Sequence, residues 1–410
     1  MCHDVSVQGN FFSAKKQLGA LPEDLTMSER GERDDSSPIG QETCAPVEDL
    51  FRKIDEAAAL LGEILARPSA EHRDLAQAVR VQGLELCQLL EARSEGAWCE
   101  NPVSGVELAR IAVEISGRLD AERYGRSQVE DAQATAWAFL GNAYRVVSDL
   151  RRAEEALDQA AAHLERSGGE AYTEAQILSF RASLRSSQGR YEEAVRLLDR
   201  ALAIYRQAKD RQLEGKGLIK KAAALAYDGK VQRAACLARR GLALIDPSAD
   251  PRLFITARHN LIGYLHEIGS PEEALDTLRR TRRLYEDFGE PSHRARLSWL
   301  EGRITRDLGR LEEAETALKG ARDFFVQQGI GLDSARVLLD LAMVYDRRGE
   351  TAELKRLSAE MVPIFASRDV DSEALAALAL FQKAAAEEQV DRALLDQIAV
   401  ELSKRGRRLR

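Results

Sequence analysis

Two histidines, His259 and His266, stand seven residues apart with Glu267 beside the second, a set that could hold a metal if all three reached one point. On a helix that separation is a rise of about 10 Å, whereas zinc holds each imidazole at roughly 2 Å. The pair is therefore expected to be polar surface on one helix face, and no metal site is assigned. Adjacent acids at Glu192–Glu193, Glu272–Glu273 and Glu312–Glu313 could act as paired carboxylates in acid–base work. Their recurrence in register marks them instead as first-turn residues of repeated helices, where the helix dipole favours negative charge. The chain contains no phosphate-binding Gly-x-x-x-x-Gly-Lys-Ser/Thr loop, no dinucleotide glycine motif after a strand, no His-Glu-x-x-His pair and no Gly-x-Ser-x-Gly elbow. No catalytic residue and no cofactor is assigned. Cys2, Cys44, Cys87, Cys99 and Cys236 are odd in number and form no Cys-x-x-Cys pair, so neither a disulfide framework nor a zinc site is expected.

The elements that position these side chains are legible in the glycines. Gly189, Gly229, Gly269, Gly309 and Gly349 recur every 40 residues, and five residues after each comes Ala194, Ala234, Ala274, Ala314 or Leu354. A fixed period of this size means stacked repeats, which grow by adding units and are not confined to one globular core. The composition, 44% hydrophobic but only 6% aromatic and rich in Ala, Leu, Glu and Arg, favours helix. No apolar run is long enough to span a membrane and no secretory signal opens the chain, so the expected location is cytoplasmic. A formal net charge of −8 disfavours non-specific nucleic-acid binding, which needs excess Lys and Arg to neutralise phosphates.

Trp137, Leu140, Gly141 and Tyr144, followed by Ala153, Leu157 and Ala160, share one face on each of two successive helices. In type and order they resemble the tetratricopeptide repeat. The same register continues through Leu178, Ala182, Gly189, Tyr191, Ala194, Leu198 and Ala201 and on to Leu341, Ala342, Tyr345 and Gly349. The resemblance implies an all-α fold, a right-handed superhelical solenoid of antiparallel helix pairs with a period longer than the family's usual one. The expected organisation is a disordered leader over 1–45, a helical lead-in with a degenerate first repeat over 46–133, an array of about six units over 134–370, and a capping helix pair with a basic tail over 371–410. Within the lead-in, helices are expected over 47–65, 71–91 and 102–119, the last opened by Pro102, whose missing N–H is harmless in a first turn.

In tetratricopeptide arrays the first helix of each pair lines a concave groove. Carrying the family's contact positions onto this chain names Asn142, Arg145, Lys216, His259, His266, Arg296, Arg303, Arg306 and Arg336 as partner-binding residues, with Gln176, Ser183 and Ser186 beside them. Trp299, offset by one from the family's Trp position, is added as an inward-pointing aromatic. The groove becomes basic toward its C-terminal half, which implies an acidic or C-terminal peptide as ligand. Lys216, Lys220 and Asn142 are similar to parts of the family's carboxylate clamp, but Ala138 and Phe180 occupy its other positions. For the arginines the competing expectation is ion pairing inside the array, Arg303 and Arg306 with Asp307, Glu301 or acids of neighbouring helices. The function that follows is a non-catalytic adaptor or scaffold binding a protein or peptide, with no direct nucleic-acid or membrane contact. The rival is a bacterial regulatory sensor subunit whose array binds a peptide or small effector. The oligomeric state is not legible.

Overall fold

The recurring glycine closes a turn that a side chain would strain. At Gly309 φ is +76°, left-handed backbone that only glycine adopts freely. The Gly309 N–H reaches the Arg306 carbonyl at 3.0 Å, and the Arg310 N–H reaches back to Thr305 at 2.8 Å. These bonds satisfy carbonyls left open at a helix C-terminus and return the chain antiparallel. The same closure joins Arg190 to Arg185, Lys230 to Leu225, Ser270 to Leu265 and Glu350 to Tyr345. In the earliest pair Ser148, with φ +63°, takes the glycine's place, and the Asp149 carboxylate caps the next helix at the Arg152 N–H, 3.1 Å away.

The computed structural model describes residues 45–66, 83–98, 101–288 and 290–366, with nine positions between Phe381 and Ile398. All regular structure among them is helical. The chain divides into two units, one ending at Gly217 and the other beginning at Leu218. The first contains α1 (Ala45–Leu65), α2 (Leu84–Ala97), α3 (Pro102–Ser116), α4 (Ala121–Tyr124), α5 (Arg126–Val146), α6 (Leu150–Ser167), α7 (Ala171–Ser187) and α8 (Tyr191–Gln207). The division falls inside α9 (Arg211–Tyr227). The second unit continues through α10 (Val231–Leu242), α11 (Pro251–Glu267), α12 (Pro271–Phe288), α13 (Pro291–Asp307), α14 (Leu311–Gln327), α15 (Gly331–Arg348) and α16 (Thr351–Ala366).

Small residues at fixed register let the paired helices approach. Ala153, Ala194, Ala234, Ala274 and Ala314 are fully buried, and seven residues later stand Ala160, Ala201, Gly241, Thr281 and Ala321, all buried as well. Between them Leu157, Leu198, Ala238, Leu278 and Leu318 fill the seam. Gly302 on α13 shows how close the approach is: a Cβ there would lie 2.5 Å from Leu318 Cγ and 3.2 Å from the Ala314 carbonyl oxygen. At the far end of the second unit Phe381, Leu395 and Ile398 bury against the cluster that contains Phe325 and Tyr345.

The lead-in differs from expectation in three details. The helix opened by Pro102 stops at Ser116, whose hydroxyl turns back to the Val113 carbonyl at 3.0 Å, so Leu119 is buried from a turn. The helix expected over 71–91 is described from Leu84 and runs on to Ala97, taking in Gly96, which reads as loop in sequence. A single helical turn, α4, intervenes before the repeats, started by the Asp120 carboxylate on the Glu122 N–H at 2.8 Å. The expected leader and most of the expected C-terminal cap lie outside the described residues.

Candidate functional site

The most concentrated chemistry in the second unit lies along one face of α13. Ser292, His293, Arg296, Trp299, Leu300 and Arg303 all line a cleft of about 510 Å³, and their spacing is that of residues stacked turn upon turn on one helix side. α11 contributes Ile255, Thr256, His259 and Asn260, α12 contributes Tyr285, and α15 contributes Arg336, Leu339 and Asp340. Trp299, Leu300, Leu339, Ile255 and Tyr285 give the cleft an apolar floor. Its charged lining is three arginines against one aspartate.

The arginines are held at different depths. Arg296, 35% exposed, pairs with the nearly buried Asp333 at 2.9 Å. Arg303 is 44% exposed and its Nε is 4.0 Å from Asp340. The Arg336 guanidinium lies over the Trp299 ring, 5.8 Å from its centroid, within cation–π range. Asp340 organises the wall: it accepts the Trp299 indole N–H at 2.6 Å and the Arg306 guanidinium at 2.5 Å. These bonds fix the indole plane so that its face meets Phe325 edge-on at 6.0 Å. Burial lowers the basicity of His293, Glu290 opposes this, and Arg296 and Arg252 reinforce it. Its Nδ1 is buried with no hydrogen-bond partner among the described residues.

Of the residues named from sequence, His259, Arg296, Trp299, Arg303 and Arg336 come together in this cleft. His266 and Arg306 belong to the network behind it. Arg306 is 8% exposed, donates to Asp307 at 3.0 Å and to Asp340, and has its own carbonyl bonded by Arg347. The His266 ring pairs with Asp307 at 2.8 Å. Burial pushes the Asp307 carboxyl up, but hydrogen bonds and charge from His266 and Arg306 outweigh it and hold the group well below the usual carboxylate range. Arg306, named as a partner-binding residue with ion pairing inside the array as the competing expectation, makes those ion pairs with Asp307 and Asp340. Glu301, weighed as its partner, instead pairs with Arg282 at 2.6 Å.

Asn142, Arg145 and Lys216 belong to the first unit. Asn142 is 2% exposed and accepts from Arg145 Nε at 2.8 Å. Burial lowers the Arg145 pKa. Lys216 pairs with Glu95 at 2.9 Å. The sequence reading missed Tyr285, His293, Asn260 and Asp340. For Asp340 a signal existed: Trp299 with Asp340 and His266 with Asp307 are each 41 residues apart, one residue beyond the 40-residue repeat, so positions offset by one on successive first helices face each other. Among the described residues no group of three or more His, Cys, Asp or Glu could hold a metal ion, and no helix is long and apolar enough to cross a membrane.

Residues 132–207 match the tetratricopeptide repeat family. The apo form of the quorum sensor NprR from B. thuringiensis is similar in structure at 16% identity, with a TM-score of 0.57 over 78% of this chain and 94% of that one. A signal transduction ATPase with a tetratricopeptide repeat sensor from Pyrococcus horikoshii matches at 13% identity and a TM-score of 0.56, covering 78% of this chain and 52% of that one. Aspartyl phosphate phosphatase F from Bacillus subtilis matches at 15% identity and a TM-score of 0.51, over 77% and 80%. At such identities the likeness concerns the fold. No curated protein sequence matches the chain.

Proposed function

Because the chain carries tetratricopeptide repeats, we propose that it is a non-catalytic interaction module, an adaptor or scaffold in the cytoplasm, and that the cleft along α13 receives an acidic segment of a peptide or partner protein. The observation that carries the reading is the set Arg296, Arg303 and Arg336 around the Trp299 floor. Guanidinium groups in a low-dielectric cleft grip carboxylates bidentately, and the apolar floor takes a neighbouring aliphatic side chain. The cleft volume falls within the range of sites that enclose a short ligand. In a protein of net charge −8, such a local positive region concentrates its field on an anionic segment.

The test is affinity capture from native lysate with the full chain beside an Arg303→Glu, Arg336→Glu form, leaving Arg306 intact. A partner retained by the first and lost by the second, with helical content unchanged, supports the reading. Equal capture by both refutes the cleft as the binding surface. The rival reading, a regulatory sensor subunit that responds to a peptide or small effector, draws on the fold shared with the quorum sensor NprR and on the cleft's limited volume. A short peptide or metabolite that protects the chain against heat while no protein is captured favours that rival.

A further inference from the structure

In the first unit the end of α2 packs across the first helices of the pairs that follow it. α2 ends at Ala97, and the Trp98 ring that follows stands 6.0 Å from Phe139 and 5.8 Å, edge-on, from Phe180. Those two phenylalanines meet each other at 5.4 Å; one is on α5 and the other on α7, 41 residues on, at the same register of successive first helices. Three residues before the tryptophan, Glu95 accepts from Lys216 on α9 at 2.9 Å, across 121 residues of sequence. The segment thus touches the first helices of three successive pairs. Gly105 on α3 leaves it room, since a Cβ there would come within 3.1 Å of Trp98 Cδ1, and the Ser94 hydroxyl holds the Gly105 carbonyl at 2.8 Å.

One polar group of the segment is left unsatisfied in this packing. The Trp98 indole N–H is buried and has no partner among the described residues, which penalises the closed arrangement. The Glu95 and Lys216 side chains are 30% and 33% exposed, so the pair is within reach of solvent and of a competing carboxylate. An aromatic side chain without an N–H would fill the same space free of that penalty.

We propose that Phe139, Phe180 and Lys216 form a docking subsite for a partner protein segment carrying an aromatic residue with an acid three positions before it, and that Glu95 and Trp98 occupy this subsite as an internal ligand until such a segment displaces them. The subsite is independent of the cleft on α13. Its occupant is defined by the chemistry already seated there: a carboxylate for the lysine and a ring for the two phenylalanines.

The test is fluorescence anisotropy of a labelled synthetic peptide with the sequence of residues 91–98, and of its Trp98→Phe version, titrated with the full chain. The Trp98→Ala protein binds at least tenfold tighter than the unsubstituted chain, the phenylalanine peptide binds severalfold tighter than the tryptophan peptide, and adding Phe180→Ala abolishes binding. An Arg303→Gln, Arg336→Gln form binds like the unsubstituted chain. A Trp98→Ala protein with intact helical content that binds no tighter overturns the proposal and makes the segment a structural staple. Loss of peptide binding in the Arg303, Arg336 form overturns it too, by placing the peptide in the other unit. Should Trp98→Ala fail to fold, Glu95→Lys replaces it: tighter binding of the peptide than by the unsubstituted chain, reversed in the Glu95→Lys, Lys216→Glu exchange, supports the proposal, and no change in either refutes it.

Discussion

Arg303 and Arg306 are one helical turn apart, yet they answer to different terms in the energy of the protein. Arg306 is 9% exposed in its side chain and lies between Asp307 at 3.0 Å and Asp340 at 2.5 Å. Replacing it with Met leaves two carboxylates short of a cation, and breaking a buried pair in this way costs about 3–5 kcal/mol. The lower end applies here, about 3 kcal/mol, because Asp307 keeps His266 and Arg347 while Asp340 keeps the Trp299 N–H. Arg303 is 44% exposed and 4.0 Å from Asp340, so Arg303→Gln costs at most about 1 kcal/mol. Urea titrations of both variants followed by far-UV circular dichroism compare these losses. Combining Arg306→Met with Asp340→Asn recovers part of the loss, since the coupling between contacting residues is non-additive. Equal destabilisation by the two single variants, or full additivity in the double variant, refutes the division between a structural Arg306 and an accessible Arg303.

Other perturbations follow from the same geometry. Gly302→Ala forces a Cβ to within 2.5 Å of Leu318 Cγ, and overpacking of about 1–3 kcal/mol exceeds a helix-propensity gain of about 1 kcal/mol; Gly320→Ala, where a Cβ would come no nearer than 3.9 Å to Ser298 Oγ, keeps the gain, and thermal melts of the two shift in opposite directions. Burial raises the Asp131 carboxyl to about 6, against the Thr173 hydrogen bond, and one of its oxygens has no partner among the described residues. Its ionisation therefore opposes folding as pH rises from about 4, the unfolded value, to about 6. Asp131→Asn stabilises the chain at neutral pH and has no such effect below about pH 4, as denaturant titrations across that range will show. Glu315 goes the other way: the Lys319 hydrogen bond, against burial and with help from Arg348 and Tyr345, depresses it to about 2. Its contribution is complete above about pH 4.3 and fades as pH falls toward about 2, so Glu315→Gln flattens the acid limb of the stability curve.

The helix pairs were readable because their cause is local. A glycine at Gly309 and an alanine at Ala314 mark a left-handed turn and a tight crossing, and both repeat with the chain's period. Which arginine stays accessible was not readable, because Arg303 and Arg306 share a helix face to within one turn. The position of Asp340 on the next first helix decides between them. Likewise nothing near Glu95 in sequence announces Lys216, since their meeting depends on three stacked pairs. Nothing in the sequence around Trp98 singles it out, and only packing puts its ring on Phe139 and Phe180. What could have been extracted was the pairing rule itself: polar residues one position beyond a full repeat apart on successive first helices, such as Trp299 with Asp340, lie opposite each other.

A partner that engages the cleft on α13 comes within reach of Trp299. Replacing Trp299 with a photo-crosslinking phenylalanine analogue, beside a control at the exposed Arg240 on α10, tests it by asking which position captures a partner in native lysate. The expected result is a protein crosslinked from position 299 and not from 240, attached through a segment rich in Asp or Glu, and competed away by a synthetic acidic peptide. Crosslinking from position 240 alone, or capture at 299 that the acidic peptide leaves untouched, contradicts it.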